Sequence, residues 1–340
     1  MIDQIMICYL LIFCIVAAFT DWKRGKIYNK WISFGLGPGL VLVMIYYIQH
    51  NECIALYLIN FVAAIVIAVL FYALKLWGAG DSKLWIFLNF MFPAGWYIMT
   101  DYMLFPSMLI FMIIFIEAYV YLLIESLWNC FLKRNKGIQF RKMKVNIEQI
   151  WNLIFSIAFL SALYTLGACI LKEYYEDNRI FFALMGILLA NQLTALQFRG
   201  KKCTTVVLMS GYIIYMVLNR EYMDMQWFGI TVLLVVVTHF SLKFAEKYNY
   251  AWVRTADVKE GMIMSYFAIQ QFCSSRVKDL PLETDETTKS RITQRQADAI
   301  HRWEKSKYGK EYVMVVRYIP FAIFILIGLV TYLIWTWKIR

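Results

Sequence analysis

Two aspartates, Asp21 and Asp81, stand where a pair of carboxyl groups could carry out acid–base chemistry. Asp21 closes an apolar run, and Asp81 precedes another one within the Gly-Ala-Gly-Asp-Ser-Lys stretch at 78–83. Two carboxyl groups within hydrogen-bond range cannot easily both ionise, so they share one proton near neutral pH. The charged group can then accept a proton from water while the protonated group donates to a carbonyl oxygen. Such a pair supplies both steps of amide hydrolysis without a metal, a cofactor or a covalent intermediate.

Each aspartate also has an ordinary structural interpretation. Asp21 could be a charge at the membrane edge, and Asp81 could cap the helix that follows it. Gly78 and Gly80 favour the chemical interpretation of Asp81, because they let the backbone turn sharply and approach another segment closely. A plain helix start requires neither glycine. The two aspartates together therefore carry more weight than either one alone.

The elements that must position the aspartates are apolar runs of helix length. The chain has 61% hydrophobic and 17% charged residues, whereas soluble domains have roughly 45–50% and roughly 25%. Because a bilayer-spanning helix needs about 20 mostly apolar residues, this composition predicts an all-α polytopic integral membrane protein. It excludes a soluble enzyme, a disordered regulator, a secreted disulfide scaffold and an outer-membrane barrel. Ten transmembrane helices are predicted, at 2–20, 31–48, 54–74, 84–99, 103–131, 149–171, 180–197, 204–218, 226–242 and 319–337.

The basic residues predict how these helices are oriented. If the amino terminus faces outward, 29 of the 34 Lys and Arg residues fall in inward-facing segments. Because basic residues concentrate on the cytoplasmic side of membrane proteins, we expect a multi-pass protein of the cytoplasmic membrane, with both aspartates at the cytoplasmic face. Topology accounts for most of the net charge of +11, and no nucleic-acid partner is expected. The inward-facing segments are 21–30, 75–83, 132–148, 198–203 and 243–318.

Cysteine usage and the first apolar run exclude further classes of feature. The seven cysteines include no CxxC pair, so neither a disulfide framework nor a metal site is expected. No separate basic region and no small-residue cleavage site precede Asp21. A removable signal peptide is therefore not expected either.

The sizeable polar region, 243–318, is predicted to contain one amphipathic helix. Thr293 and Gln296 have the spacing of a capping box, which predicts a helix start at 294. Gly309 is typical of a residue that follows a helix end, so the helix is expected over 294–308. The residues 313–316 then form a short extended run that leads into the last span.

The residues around both aspartates resemble the GxGD aspartic peptidases of the prepilin and preflagellin peptidase family. The first motif of that family matches at Asp21, Lys23, Ile27 and Asn29, with Tyr28 where many members carry proline. The second motif, GxGDxK, matches in full at Gly78, Gly80, Asp81 and Lys83. Presenilin-like peptidases share GxGD, but their tyrosine-aspartate and Pro-Ala-Leu motifs do not occur here. A weaker similarity to the ending of some family members lies in the carboxy-terminal part, at 260–262, in the expected helix 294–308 and at 319–322.

The resemblance implies a cofactor-independent aspartic endopeptidase with Asp21 and Asp81 as its catalytic pair. Its substrates would be type IV pilin-like precursors, whose basic leader stays in the cytosol while the apolar helix lies in the bilayer. The chain would then divide into a peptidase core at 1–132, additional membrane helices at 133–242, a cytoplasmic segment at 243–318 and a final transmembrane helix at 319–340.

Two departures from the family pattern limit what the resemblance implies. Many bacterial members carry an amino-terminal domain with paired CxxC motifs and also methylate the new amino terminus. This chain has no CxxC, so methyltransferase activity is not expected. The predicted spans also exceed the six to eight usual in the family, and those between 149 and 242 have no family role.

An acidic patch in the polar region is a candidate binding site for the basic leader. Four acids within eight positions contrast with the basic residues of the other inward segments, and opposite charge could steer a basic leader. A solvated loop is the alternative interpretation. The acidic patch consists of Asp279, Glu283, Asp285 and Glu286.

Other functions remain open at the level of sequence. A transporter could bind a proton or cation at Asp21, Asp81 and Glu117, because acids inside a membrane are frequently functional. Transporter sites usually lie near mid-membrane between repeated halves, whereas these aspartates lie at one edge and no repeat is visible. An inactive family member that acts as an assembly scaffold is a third interpretation. Glu117 and Glu125 could also serve only to bond a neighbouring helix and to reach the interface.

Overall fold

The computed structural model describes residues 1–74, 77–98, 105–135, 147–195, 200–218, 225–246, 249–286 and 290–339. The helices are α1 Ile2–Arg24, α2 Asn29–Gln49, α3 Ile54–Ala73, α4 Ala79–Met91, α5 Ser107–Asn135, α6 Ile147–Ile170, α7 Glu173–Asp177, α8 Arg179–Ala195, α9 Lys201–Leu218, α10 Met225–Glu246, α11 Tyr266–Phe272, α12 Gln294–Glu304 and α13 Ala322–Ile339. The strands are β1 Tyr250–Arg254, β2 Ile263–Met264 and β3 Tyr312–Val316.

The described helices confirm an α-helical membrane protein but not the count of ten spans. Seven of them are long and apolar enough to cross a membrane: Ile2–Arg24, Asn29–Gln49, Asn51–Ala73, Ser107–Leu132, Ile147–Ile170, Lys201–Leu218 and Phe228–Ala245. The predicted spans at 84–99, 180–197 and 319–337 correspond to the shorter helices α4, α8 and α13. Positions 99, 103–104 and 196–197 of the predicted spans, and most of the predicted inward segment 132–148, lie outside the described residues.

The fourth predicted span is shorter than expected because of Pro93. Proline lacks a backbone N–H and disfavours helical geometry in the residue before it. The helix α4 ends at Met91, and a 3-10 turn follows at Ala94–Trp96. With 13 residues, α4 rises about 20 Å, which is less than the roughly 30 Å of a bilayer core.

The core group, α1–α5 with α13, is held together by buried aromatic side chains. Trp85, Phe71 and Phe111 are fully buried in one apolar cluster that also contains Tyr332 of α13. The rings of Phe71 and Phe111 lie edge to face at 5.2 Å between centroids, an arrangement that adds to the packing energy. The carboxyl-terminal helix thus packs among the amino-terminal ones.

A close approach of α13 to α5 depends on Gly328. A Cβ atom at this position would lie only 2.5 Å from Ile114 Cγ1 and 3.1 Å from the Ile114 backbone nitrogen. Small residues of this kind allow two membrane helices to pack closely. The start of α13 is thereby fixed beside the end of α1, which α13 also contacts.

The second group, α6 with α8–α10, has a much smaller core. Its buried apolar cluster consists of Leu160, Ile187 and Val235, one each from α6, α8 and α10. The helix α9 packs against α6, and α8 and α10 contact α5 of the core group. The second group is therefore attached to the core group along α5.

The polar domain, residues 249–286 and 290–318, is a small unit with its own core. Its antiparallel sheet has the strand order β1-β3-β2, and Trp303 of α12 is buried against Phe272 of α11 at 4.8 Å between ring centroids. The sheet is an addition to the predicted all-α architecture. The predicted extended run at 313–316 forms most of β3.

The predicted amphipathic helix is present as α12, with the capping box at its start. The Gln296 N–H donates to Thr293 Oγ1 at 3.3 Å, and the Thr293 N–H donates to Gln296 Oε1 at 2.9 Å. The helix ends at Glu304 rather than at 308. A Cβ at position 309 would lie 2.0 Å from the Glu304 carbonyl oxygen, so Gly309 allows the chain to fold back over the helix end.

Candidate active site

Asp21 lies in the last turn of α1 and is 1% exposed. The helix ends at Gly25, whose φ of 60° is the left-handed conformation that glycine adopts readily. The carboxyl group of Asp21 faces the start of α13. There the Tyr318 hydroxyl donates to Asp21 Oδ1 at 2.5 Å and the Ala322 N–H donates to Oδ2 at 3.3 Å.

Asp81 lies in the first turn of α4 and is partly buried. Its Oδ2 accepts a hydrogen bond from the N–H of Gly78 at 3.2 Å. Gly78 has an extended conformation immediately before the helix, with φ of −72° and ψ of 157°. Gly78, rather than Asp81, is therefore the residue that caps α4, and the Asp81 side chain bonds back to it from the first turn. This bond fixes the carboxyl group of Asp81 at the helix start.

The two carboxyl groups are close enough to influence each other. Burial, followed by the negative charge of Asp21, raises the pKa of Asp81 from 3.8 to about 7, while the Gly78 bond and the Arg291 guanidinium act in the opposite direction. Asp81 can therefore keep a proton near neutral pH beside a charged Asp21. This is the electrostatic arrangement that one shared proton requires.

The two sequence motifs touch each other at two further points. A Cβ at position 80 would lie 3.1 Å from Ile27 Cβ, so Gly80 allows the segment after α1 to lie directly against α4. The Lys83 ammonium group donates to Asn29 Oδ1 at 2.8 Å. Lys23, the other basic residue of the predicted motifs, lies on the exposed side of α1, where its ammonium group is 4.6 Å from the ring centroid of Phe19.

Two residues of this site, Tyr318 and Arg291, were not predicted as site residues. The guanidinium carbon of Arg291 lies 4.7 Å from the Tyr318 ring centroid, and Nη1 donates to the Arg24 carbonyl oxygen at 3.4 Å. Tyr318 directly precedes the stretch at 319–322 that has the weaker family similarity. That proximity was the sequence signal available for Tyr318, whereas Arg291 has none.

The acidic patch lies in the polar domain, and most of its acids are bonded there. Asp279 forms an ion pair with Arg295 at 3.2 Å. Glu286 accepts hydrogen bonds from the Tyr250 hydroxyl at 2.8 Å and from the Tyr266 N–H at 2.7 Å. Asp285 accepts one from the Ser290 hydroxyl. The patch therefore differs from a solvated loop with four unpaired acids.

The two acids of α5 bond to the carboxyl-terminal segment. The Thr331 hydroxyl of α13 donates to Glu117 Oε1 at 2.7 Å, and Glu125 forms an ion pair with Arg317. Within the described part of the chain, no hydrogen bond connects Glu117 to Asp21 or Asp81. The three acids that the transporter interpretation needs as one site are thus not joined by hydrogen bonds.

Comparison with known proteins identifies a family for one part of the chain. Residues 8–126 match the type IV leader peptidase family, and this stretch contains both aspartates and both motifs. The match confirms the resemblance to a prepilin peptidase-like family of proteases. No curated protein and no solved structure shows significant similarity to the chain.

Proposed function

We propose that Asp21 and Asp81 are the catalytic pair of an aspartic endopeptidase that removes the short basic leader of type IV pilin-like precursors. The observation that carries this proposal is that the two motifs lie against each other, through Gly80 at Ile27 and Lys83 at Asn29. Asp21 is close enough for its charge to add to burial in raising the pKa of Asp81. Both groups lie within the stretch that matches the leader peptidase family. The transporter alternative has no comparable support.

The reaction needs only the two carboxyl groups and one water molecule. The charged carboxylate takes a proton as the water oxygen attacks the scissile carbonyl carbon, and the protonated carboxyl group donates its proton to the carbonyl oxygen. The tetrahedral intermediate then collapses: the carboxyl group that took the water proton passes it to the leaving nitrogen, and the other carboxylate takes a proton from a hydroxyl of the intermediate as the carbonyl group re-forms. The carbon–nitrogen bond breaks, one water is consumed, and the pair returns to one charged and one protonated carboxyl group.

The depth of the pair suits a substrate that is anchored in the bilayer. Asp21 lies at the end of the first apolar helix, which is long enough to cross a membrane. The polar domain lies at the same end, because Tyr318 bonds to Asp21 and Arg291 bonds to Arg24. The distribution of Lys and Arg supports a cytoplasmic location for this end. A precursor could keep its apolar helix in the bilayer and present its leader to the pair.

The experiment is cleavage of purified pilin-like precursors by the detergent-solubilised protein, with the cut site read by mass spectrometry. We expect Asp21→Asn and Asp81→Asn to lose at least about a thousandfold in kcat, because general acid and base catalysis contribute about 10²–10⁴-fold each. The matched control is Asp3→Asn at the other end of α1, where Asp3 accepts a bond from Trp96 Nε1 at 2.9 Å. A near-normal rate in either variant of the pair would disprove the assignment.

A further inference from the structure

The two carboxyl groups of the site receive different numbers of hydrogen bonds from outside their own helices. Both oxygens of Asp21 accept one, from Tyr318 and from Ala322. Asp81 accepts one from Gly78 in its own helix start, and no side chain of the described residues donates to it. Because hydrogen-bond donors stabilise the charged form of a carboxyl group, these bonds favour the charge on Asp21 over the charge on Asp81.

The start of α13 adds to this preference. Ala322 is the first residue of α13, and its N–H is among those that have no partner within the helix. Such a group carries part of the positive end of the helix dipole, which stabilises a nearby negative charge. The Ala322 N–H donates to Asp21 Oδ2, and this bond is stronger when the carboxyl group of Asp21 is charged.

Arg291 determines where Tyr318 lies. Its side chain stacks over the Tyr318 ring at 4.7 Å, within the range of a favourable cation–π contact. Its backbone is fixed as well, because Arg291 forms a bridge to Ile263 and the neighbouring Ile292 N–H donates to the Met262 carbonyl oxygen at 2.9 Å. The polar domain thus places a cation and a phenol at the end of α1.

On the basis of the proposed function, we infer that Tyr318, held in place by Arg291, is a positioning residue that keeps Asp21 charged as the base of the pair. The single proton then belongs to Asp81, which serves as the acid. The charged and titratable groups that face Asp21 are Tyr318 and Arg291 from the polar domain and Asp81 from α4. Neither Tyr318 nor Arg291 lies within residues 8–126, so this division of roles depends on a part of the chain outside the family match.

The test is the pH dependence of kcat/KM for Tyr318→Phe. The acidic limb of that profile reports the protonation of the base in the free enzyme. Removing a hydrogen bond to its charged form raises the pKa of a carboxyl group. We therefore expect the acidic limb of Tyr318→Phe to move up by about one pH unit. Below the limb the variant should be about tenfold slower than the wild type, and this difference should shrink as the pH rises above the limb.

The controls separate this effect from general damage to the fold. Phe keeps the ring that contacts Arg291, so Tyr318→Phe removes only the hydroxyl. Tyr9→Phe removes a comparable bond, from the hydroxyl to the Gly35 carbonyl oxygen at 3.0 Å, and should leave the profile unchanged. Arg291→Gln should move the limb in the same direction by less, and Arg291→Lys should restore part of the shift.

Each outcome has a distinct meaning. An equal loss of rate at every pH with the limb unmoved would show that Tyr318 is merely structural, and a wild-type profile for Tyr318→Phe would overturn the inference outright. A shifted limb for Tyr9→Phe would also overturn it. If the unmodified protein cleaves no precursor, the proposed function itself fails, and the role of Tyr318 fails with it.

Discussion

The core group and the outer helices of the second group, α9 and α10, differ in how much of each helix is buried, although all are apolar. In the spanning windows of the core group 33% of residues are buried in each of α1–α3 and 28% in α5, and α6 of the second group also has 33%, whereas α9 has 11% and α10 has 17%. The second group directs many aliphatic side chains outward, as Val207 and Ile214 show with exposures of 61% and 59%. Apolar side chains are tolerated in contact with lipid, so apolar composition alone does not reveal which helices are tightly packed.

This difference indicates where precise geometry is required. Within the described part of the chain, the candidate site is built from the core group and the polar domain, where Asp21 bonds to Tyr318 and Ala322 and its charge acts on Asp81. The second group lies outside the family match. Substitutions of one type should therefore have unequal effects in the two groups, and that inequality can be measured.

The largest difference is expected for one glycine from each group. Gly328→Val places side-chain atoms against Ile114 of α5 and should push α13 away, which separates Tyr318 and Ala322 from Asp21. A Cβ atom added at Gly211 in α9 would have no described atom within 4 Å. Overpacking costs about 1–3 kcal/mol, so Gly328→Val should lower Tm in detergent and reduce cleavage at least about tenfold, while Gly211→Val should match the wild type. Equal losses of Tm and cleavage in both variants would contradict the expected difference between the core group and the second group.

A second difference concerns the alkaline side of the activity profile. The pKa of Asp81 is raised to about 7 by burial and by the charge of Asp21, so the acid of the pair loses its proton as the pH rises through that value. We expect kcat/KM to decline there, approaching a tenfold loss for each further pH unit. An ordinary histidine titrates nearby, at about 6.5, and His239 is buried in α10 of the second group. His239→Gln should keep the same profile. A displaced alkaline limb in this variant would mean that His239 of the second group, and not Asp81, causes the alkaline decline.

The smallest difference is expected for acids on the surface. Glu283 and Asp279 are exposed acids of the acidic patch, and neutralising both with Glu283→Gln and Asp279→Asn should raise KM for a basic leader about two- to fivefold at low salt. The increase should vanish at high ionic strength because salt screens surface charges. Glu173→Gln with Glu176→Gln in α7 is the matched control. If KM at low salt is the same in both double variants, the acidic patch has no role in leader binding.

The parts of the structure that could be predicted from sequence are those in which the contacting residues lie close together along the chain. Gly78 and Asp81 lie within one turn of each other, and the capping of α12 depends on Thr293 and Gln296 alone. Such arrangements are determined by short-range sterics and hydrogen bonds, so spacing along the chain is enough to predict them. Asp21 and Asp81 are far apart in the sequence, and their predicted proximity depends in addition on a common depth in the membrane.

The unpredicted parts depend on contacts between distant segments. Asp21 and Ala322 are 301 positions apart, and no periodicity in the sequence specifies that α13 packs beside α1. The strand β2 has only two residues, too few for an alternating pattern. The predicted span at 84–99 is shorter in the structure because Pro93 ends the helix locally, whereas the apolar run that predicted the span continues past it.

The return of α13 to the end of α1 has a consequence for biosynthesis. Translation proceeds at about 5–20 residues per second, so the 301 positions between Asp21 and Ala322 take about 15–60 s to synthesise. Asp21 enters the membrane early, but the Ala322 N–H that donates to it leaves the ribosome 301 positions later. Nascent chains therefore hold both aspartates for most of that interval without the donors from Tyr318 and Ala322, and the surroundings of Asp21 are complete only after α13 has packed beside α1.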